Sequence, residues 1–215
     1  RGVRQSWGDP RASPDPSAPR GRPPGTEPPH GGVGGRPRPP AFRHPAPPYS
    51  LPLMTVLVIS HPDGLLHRPP AEHPERPERL RAALAGATGL DAGRREAVAA
   101  SDEALGMLHP RRYLDRLEAA EPAAGAVALD PDTWLSPGSL RAARLGAGGA
   151  LMAVDLVMGG EAGAAMSLMR PPGHHALADR PMGFCLFGNA ALMARRALDR
   201  HGAARVAVVD LDVHH

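Results

Sequence analysis

From Thr55 onward, short β-branched runs alternate with stretches in which apolar residues recur every three or four positions. Thr55-Val56-Leu57-Val58-Ile59 predicts a buried strand. Pro77 suits the first turn of a helix whose apolar positions are Leu80, Ala83 and Leu84. Ser101 predicts the cap of a second helix, with Asp102 and Glu103 in its first turn and Leu105 and Leu108 on one side. His109-Pro110 ends it, and Tyr113, Leu114 and Leu117 mark a third. The longest apolar stripe runs through Leu140, Ala143, Ala147, Ala150, Leu151, Val154 and Met158. Ser136-Pro137 is its predicted cap and first position, and Gly159-Gly160 closes it. Residues 164–169 predict another buried strand, Asn189 caps a helix reaching about residue 200, and residues 205–211 predict a last strand. Strands alternating with helices imply an α/β fold with a parallel sheet.

The first fifty residues break this pattern, since 22 of them are Pro or Gly. Such a segment buries too little apolar surface to offset its ordering entropy, so residues 1–53 are expected to be disordered and the folded domain to run from 54 to 215. Both a mistranslated upstream region and a genuine basic tail fit that composition. All 25 basic side chains are Arg, and aromatic residues make up 3% of the chain. Without aromatics interleaved in a basic stripe, a nucleic-acid surface is not expected. Cys185 is the single cysteine, which excludes an intramolecular disulfide framework and suits a reducing compartment. No apolar run approaches the about 18 residues of a membrane span, so a cytoplasmic protein is expected.

The chemistry-bearing residues sit where the predicted strands end. The last strand delivers Asp210-Leu211-Asp212-Val213-His214-His215. On an extended segment Asp210 and Asp212 share a face, and a relaxed loop lets His214 join them. Carboxylate and imidazole suit zinc, iron or manganese, with a third ligand needed from elsewhere. Taken alone, such an Asp-x-His is more often a capped strand end with solvated side chains. His174-His175 follow a Pro-Pro-Gly turn, which lets the backbone approach a ligand closely, and paired imidazoles there can serve as general base and general acid. Asp210 can orient one ring and raise its basicity. Gly183-Phe184-Cys185 fits a pocket wall or ordinary core, the latter favoured for Cys185. Arg76, in His73-Pro74-Glu75-Arg76, can place a cation near an anionic product or be a solvated helix-entry charge.

Five segments in order together resemble one family: LLHRPPAEHPERPERL (65–80), DTWLSPGSLRAARLGAGGALMAVDLV (132–157), RPPGHHA (170–176), MGFCLFGNAA (182–191) and RVAVVDLDVHH (205–215). They are similar to the zinc-dependent histone deacetylase-like amidohydrolases, bacterial acetoin-utilisation and acetylpolyamine deacetylase-like members included. The resemblance implies the three-layer arginase/deacetylase fold, and hydrolysis of N-acetyl amides on acetylated proteins or small acetylated amines. It implies Asp212 and His214 as two zinc ligands, His174 and His175 as the tandem catalytic histidines, and Asp210 as the partner of the first. Asp210 and Asp212 would also help to hold a structural K+. Gly183 and Phe184 match the wall of the acyl-lysine tunnel, and Arg76 an arginine of the inner channel.

Gly188 stands where the family usually has the first of two asparagines. The third zinc ligand and the carbonyl-polarising tyrosine are expected beyond His215. The chain is therefore expected to hold the N-terminal part of a domain truncated on its C-terminal side, and to be inactive alone. An arginase-like manganese ureohydrolase and a non-catalytic remnant or binding module are the alternatives.

Overall fold

The computed structural model describes residues 55–214. The expectations for residues 1–53, for Met54 and for His215 lie outside that range. Strand β1 (Val56–Ser60) is the centre of a three-stranded sheet in the order β2-β1-β5, with β2 spanning Ala92–Glu96 and β5 spanning Ala164–Ser167. Both pairings are parallel, Val56 facing Ala92 on one side and Ala164 on the other. A strand hydrogen-bonded on both edges in a parallel sheet must have both faces covered. Accordingly Leu57, Val58 and Ile59 are buried.

Helices α1 (Pro77–Gly86), α2 (Asp102–Leu105) and α3 (Arg111–Ala120) precede a small antiparallel pair, β3 (Val127–Ala128) with β4 (Trp134–Leu135). Helix α4 (Ser139–Met158) and α5 (Asn189–Asp199) complete the set. The core lies where α4 meets the sheet: Leu57, Ile59 and Ala97 pack with Leu145, Ala153, Leu156 and Ala162. Close approach depends on the small residues of α4. A Cβ on Gly148 would stand 1.7 Å from the Val98 carbonyl oxygen, and the neighbouring Ala100 N–H donates to the carbonyl of Arg144. Among the described residues no helix is long and apolar enough to cross a membrane.

Ser101 caps α2 as expected, its Oγ accepting the Ala104 N–H at 3.2 Å. Four expectations are corrected. Helix α2 is a single turn that leaves Leu108 outside it. Helix α4 starts at Ser139, because Gly138 turns the chain at φ 84° against Leu66, and Ser136 Oγ accepts the Arg68 N–H instead of capping. Asn189 is the first residue of α5 rather than its cap.

The fourth correction is the largest: residues 205–211 are not a strand. Asp210 Oδ1 accepts the Asp212 N–H at 3.0 Å, and Asp212 Oδ1 accepts the His214 N–H at 2.9 Å. These Asx-type turns bond a side chain to the backbone two residues on, in competition with a ladder. Val208 and Val209 stay 61% and 79% exposed, so burial gives the extended form nothing to set against them.

Candidate active site

The loop carrying His174 and His175 is rooted in a buried ion pair. Arg170, 3% exposed, donates from Nε to Glu75 Oε1 at 2.6 Å and from Nη2 to Glu75 Oε2, and Glu75 is 1% exposed. Nη1 and the second N–H of Nη2 reach the carbonyls of Gly64 and His67, both at 3.1 Å. A planar fork that satisfies two carboxylate oxygens and two carbonyls is the geometry that makes a buried charge tolerable. The same cluster holds His67, whose Nδ1 lies 2.8 Å from Ser139 Oγ. Burial, then the Arg170 charge and then His73, push the His67 imidazole down to about 3, so it is neutral. Its 3.5 Å approach to Glu75 is therefore not an ion pair, and the Glu75 charge is matched by Arg170.

From that root the chain passes Pro171-Pro172-Gly173 to His174. A Cβ on Gly173 would stand 2.3 Å from the Asn189 side chain, and the Gly173 carbonyl accepts the Ala190 N–H at 2.9 Å. The loop is thus seated on the start of α5. His174 Nδ1 lies 2.8 Å from Asp210 Oδ2, and the two neighbouring imidazoles have centroids 4.1 Å apart. His175 Nε2 lies 2.7 Å from the His214 carbonyl oxygen, a group that can only accept, so His175 carries a proton on Nε2.

The turn at Gly183-Phe184 lies against the His175 ring. Met182 and Cys185 exchange backbone hydrogen bonds at 3.2 and 2.9 Å around two residues of positive φ, 55° and 67°. This is the pattern of a type I′ turn. Glycine at 183 is dictated by space, since a Cβ would lie 2.4 Å from the His175 ring. Cys185 is buried, accepts the His175 N–H at 3.5 Å, and has its thiol pushed up by burial, as befits a core residue. His109, also buried, spans the loop between the histidines and α5: Nδ1 meets the Ala178 carbonyl at 2.8 Å and Nε2 accepts the Gly188 N–H at 3.1 Å. Burial lowers its imidazole below the usual range. Tyr113 adds a 2.6 Å bond to the Leu186 carbonyl.

The structure therefore brings His174, His175, Asp210, His214 and Gly183 together. Asp212 and His214 are exposed, each tied through the Asx-type turns. Arg76 is exposed, immediately before α1. Asp212 and His214 are donors of the kinds zinc takes, but they number two. Among the described residues no group of three His, Cys, Asp or Glu side chains converges to hold an ion. The described residues alone thus do not fit a catalytic zinc, which needs three protein ligands.

In the sequence Glu75 shows only as part of a segment that fits either a product site or a solvated helix entry, His109 only as a helix terminator, and neither Arg170 nor His67 stands out. The available signal was a charge in an otherwise apolar or Pro-rich window, such as Arg170 shortly after β5, a strand whose residues are half-buried or exposed rather than buried as expected.

A parallel sheet flanked by helices, with the His174-His175 pair meeting Asp210 on the loops outside it, defines a protein of the α/β class. Comparison with known proteins makes this specific. Residues 71–215 match the histone deacetylase domain, and the chain belongs to that family. It is 46% identical over 174 residues to a histone deacetylase-like amidohydrolase of Pseudomonas aeruginosa, covering 80% of this chain and 44% of that protein. It is 38% identical over 181 residues to the mouse polyamine deacetylase HDAC10, covering 75% of this chain and 26% of that protein. The crystal structure of the HDA15 HD domain superposes with a TM-score of 0.62 at 33% identity, covering 68% of this chain and 44% of that one. The chain thus spans less than half the length of each of these relatives. The arginase/deacetylase-type fold is shared, and the family is not that of the manganese ureohydrolases.

Proposed function

We propose that the protein takes part in zinc-dependent hydrolysis of N-acetyl amides, on acetyl-lysine proteins or small acetylated amines. The observation that carries this reading is the 2.8 Å contact of His174 Nδ1 with Asp210 beside the second imidazole. Donation from Nδ1 to the carboxylate leaves Nε2 as the unprotonated nitrogen, able to take a proton from the attacking water. In its imidazolium form His175, which donates from Nε2 to the His214 carbonyl, protonates the departing amine nitrogen, and the proton that His174 takes from water returns the pair to its starting charge. Asp212 and His214 would supply two zinc ligands and require a third donor from outside the described residues. When bound, zinc supplies Lewis-acid polarisation of the amide carbonyl and the water. Gly183 and Phe184 are assigned to the wall of the acyl passage, Arg76 to the carboxylate product, and Asp210 with Asp212 to a structural K+. The deacetylase family assignment and the names of the relatives support the reaction class.

The test is acetate release from an acetyl-lysine peptide and from an N-acetylpolyamine in the presence of zinc, by a form of the protein that includes the third zinc donor; the 215-residue chain alone is expected to be inactive. Removing a positioned acid–base group costs about 100-fold or more, so His174→Ala is expected to reduce the rate by at least that factor. Chelation is expected to abolish it. Undiminished turnover by His174→Ala would overturn the role of the pair, and turnover insensitive to chelators would overturn the metal.

A further inference from the structure

Phe184 is the one non-glycine residue with positive φ among the described residues, at 67°. The second central position of a type I′ turn favours glycine or asparagine, and a bulky side chain persists there only when its surroundings over-determine it. What holds it lies 51 residues earlier in sequence, on the segment entering β4. The Phe184 N–H donates to Thr133 Oγ1 at 3.1 Å, and the Thr133 hydroxyl donates onward to Asp132 Oδ1 at 3.1 Å. Thr133 is fully buried. Its own backbone is fixed, since Asp130 Oδ1 accepts the N–H groups of Asp132 and Thr133 at 3.0 and 2.6 Å, and the Thr133 carbonyl accepts the Leu129 N–H at 2.8 Å.

The same dipeptide also governs the ring. His73 meets Phe184 edge-to-face with centroids 4.6 Å apart, and His73 Nε2 is bonded to the Asp132 carbonyl at 2.9 Å. His73 Nδ1 accepts the Glu75 N–H at 3.1 Å, which sets the tautomer with the proton on Nε2. Backbone and ring of Phe184 are thereby both referred to Asp132-Thr133. The turn they hold is the one packed against the His175 ring at Gly183.

We propose that Thr133 is a positioning residue for substrate: its hydroxyl clamps Phe184 in the left-handed conformation and so sets the wall of the acyl passage beside the histidine pair. The substrate half of this inference rests on the deacetylase reading; the clamp itself does not.

The experiment compares Thr133→Val, which keeps shape but cannot accept a hydrogen bond, with Thr133→Ser, which can. In the full chain labelled with 15N-phenylalanine, Thr133→Val is expected to speed exchange of the Phe184 amide at least about tenfold, because the bond that protects it is gone. Thr133→Ser is expected to leave exchange within about twofold of the parent. In a form of the protein that includes the third zinc donor, with an acetyl-lysine peptide, Thr133→Val is expected to raise KM severalfold with a smaller change in kcat, and Thr133→Ser to restore both. Unchanged Phe184 exchange in Thr133→Val would overturn the clamp. Faster exchange with unaltered KM would overturn its role toward substrate. Absence of hydrolysis by a form of the protein that includes the third zinc donor would overturn the deacetylase reading and the substrate half with it, while the exchange comparison still decides the clamp. Should Thr133→Val fail to fold, Phe184→Gly relieves the backbone demand and is expected to restore folding to it; failure of the double variant would overturn the proposal.

Discussion

The two halves of the site are held in opposite ways. The half with His174 and His175 grows from Arg170, sealed under the loop with Glu75 and His67. The half with Asp210, Asp212 and His214 is an exposed strip fastened by its own short polar side chains and by its contacts to the histidine pair. The histidines are therefore set by the folding of the domain, and the prospective ligands by local turns. Tertiary packing orders the histidine pair, and local side-chain-to-backbone bonds order the carboxylate side.

The sharpest way to break this comparison is Glu75→Ala. It leaves the Arg170 guanidinium buried without its counter-charge, and is expected to destabilise the chain by about 3–5 kcal/mol in denaturant unfolding. A loss below 1 kcal/mol would mean that the root is not anchored by this pair.

Next in size is a pH effect from His67. Its folded value, about 3, lies below the unfolded value, so between the two the unfolded state binds more protons. Stability is expected to be complete above pH about 6.5 and to fall toward pH 3, by up to about 1.4 kcal/mol per unit. His67→Asn is expected to flatten that window, read as Tm against pH.

Tyr113→Phe removes the donor to the buried Leu186 carbonyl and is expected to cost about 1–3 kcal/mol, measured by the shift in denaturation midpoint. The smallest effect belongs to the exposed strip. Asp210→Asn is expected to change stability by less than about 1 kcal/mol, because exposed ion pairs contribute little. The same substitution should sharply lower any deacetylase activity. A large loss of stability from it would erase the contrast between the halves.

The legibility of the chain in its sequence follows the same division. Strand β1 and helices α4 and α5 show in the pattern because burial on a face imposes a period. Strand β2 is invisible, since Ala-Gly-Arg-Arg-Glu is a strand only through its backbone ladder to β1, with charged side chains suited to an edge. The run Val206-Ala207-Val208-Val209 misleads for the converse reason. Its composition says strand, but a strand also needs a partner edge and a covered face, and neither is encoded in the segment itself. At the site, the motif residues were legible as types of chemistry. The supporting Glu75, His109 and Thr133 were not, because what defines them is which distant backbone groups they meet.

The sealed Arg170–Glu75 pair also bears on how this sequence can drift. Either residue changed alone strands a charge in the interior, whereas exchange of both for well-packed apolar residues of similar volume is often close to neutral. The two positions, 95 apart in sequence, are separated from any such alternative by an intermediate that folds poorly. They therefore form a single unit of inheritance, joining the entry of α1 to the loop that bears the histidines.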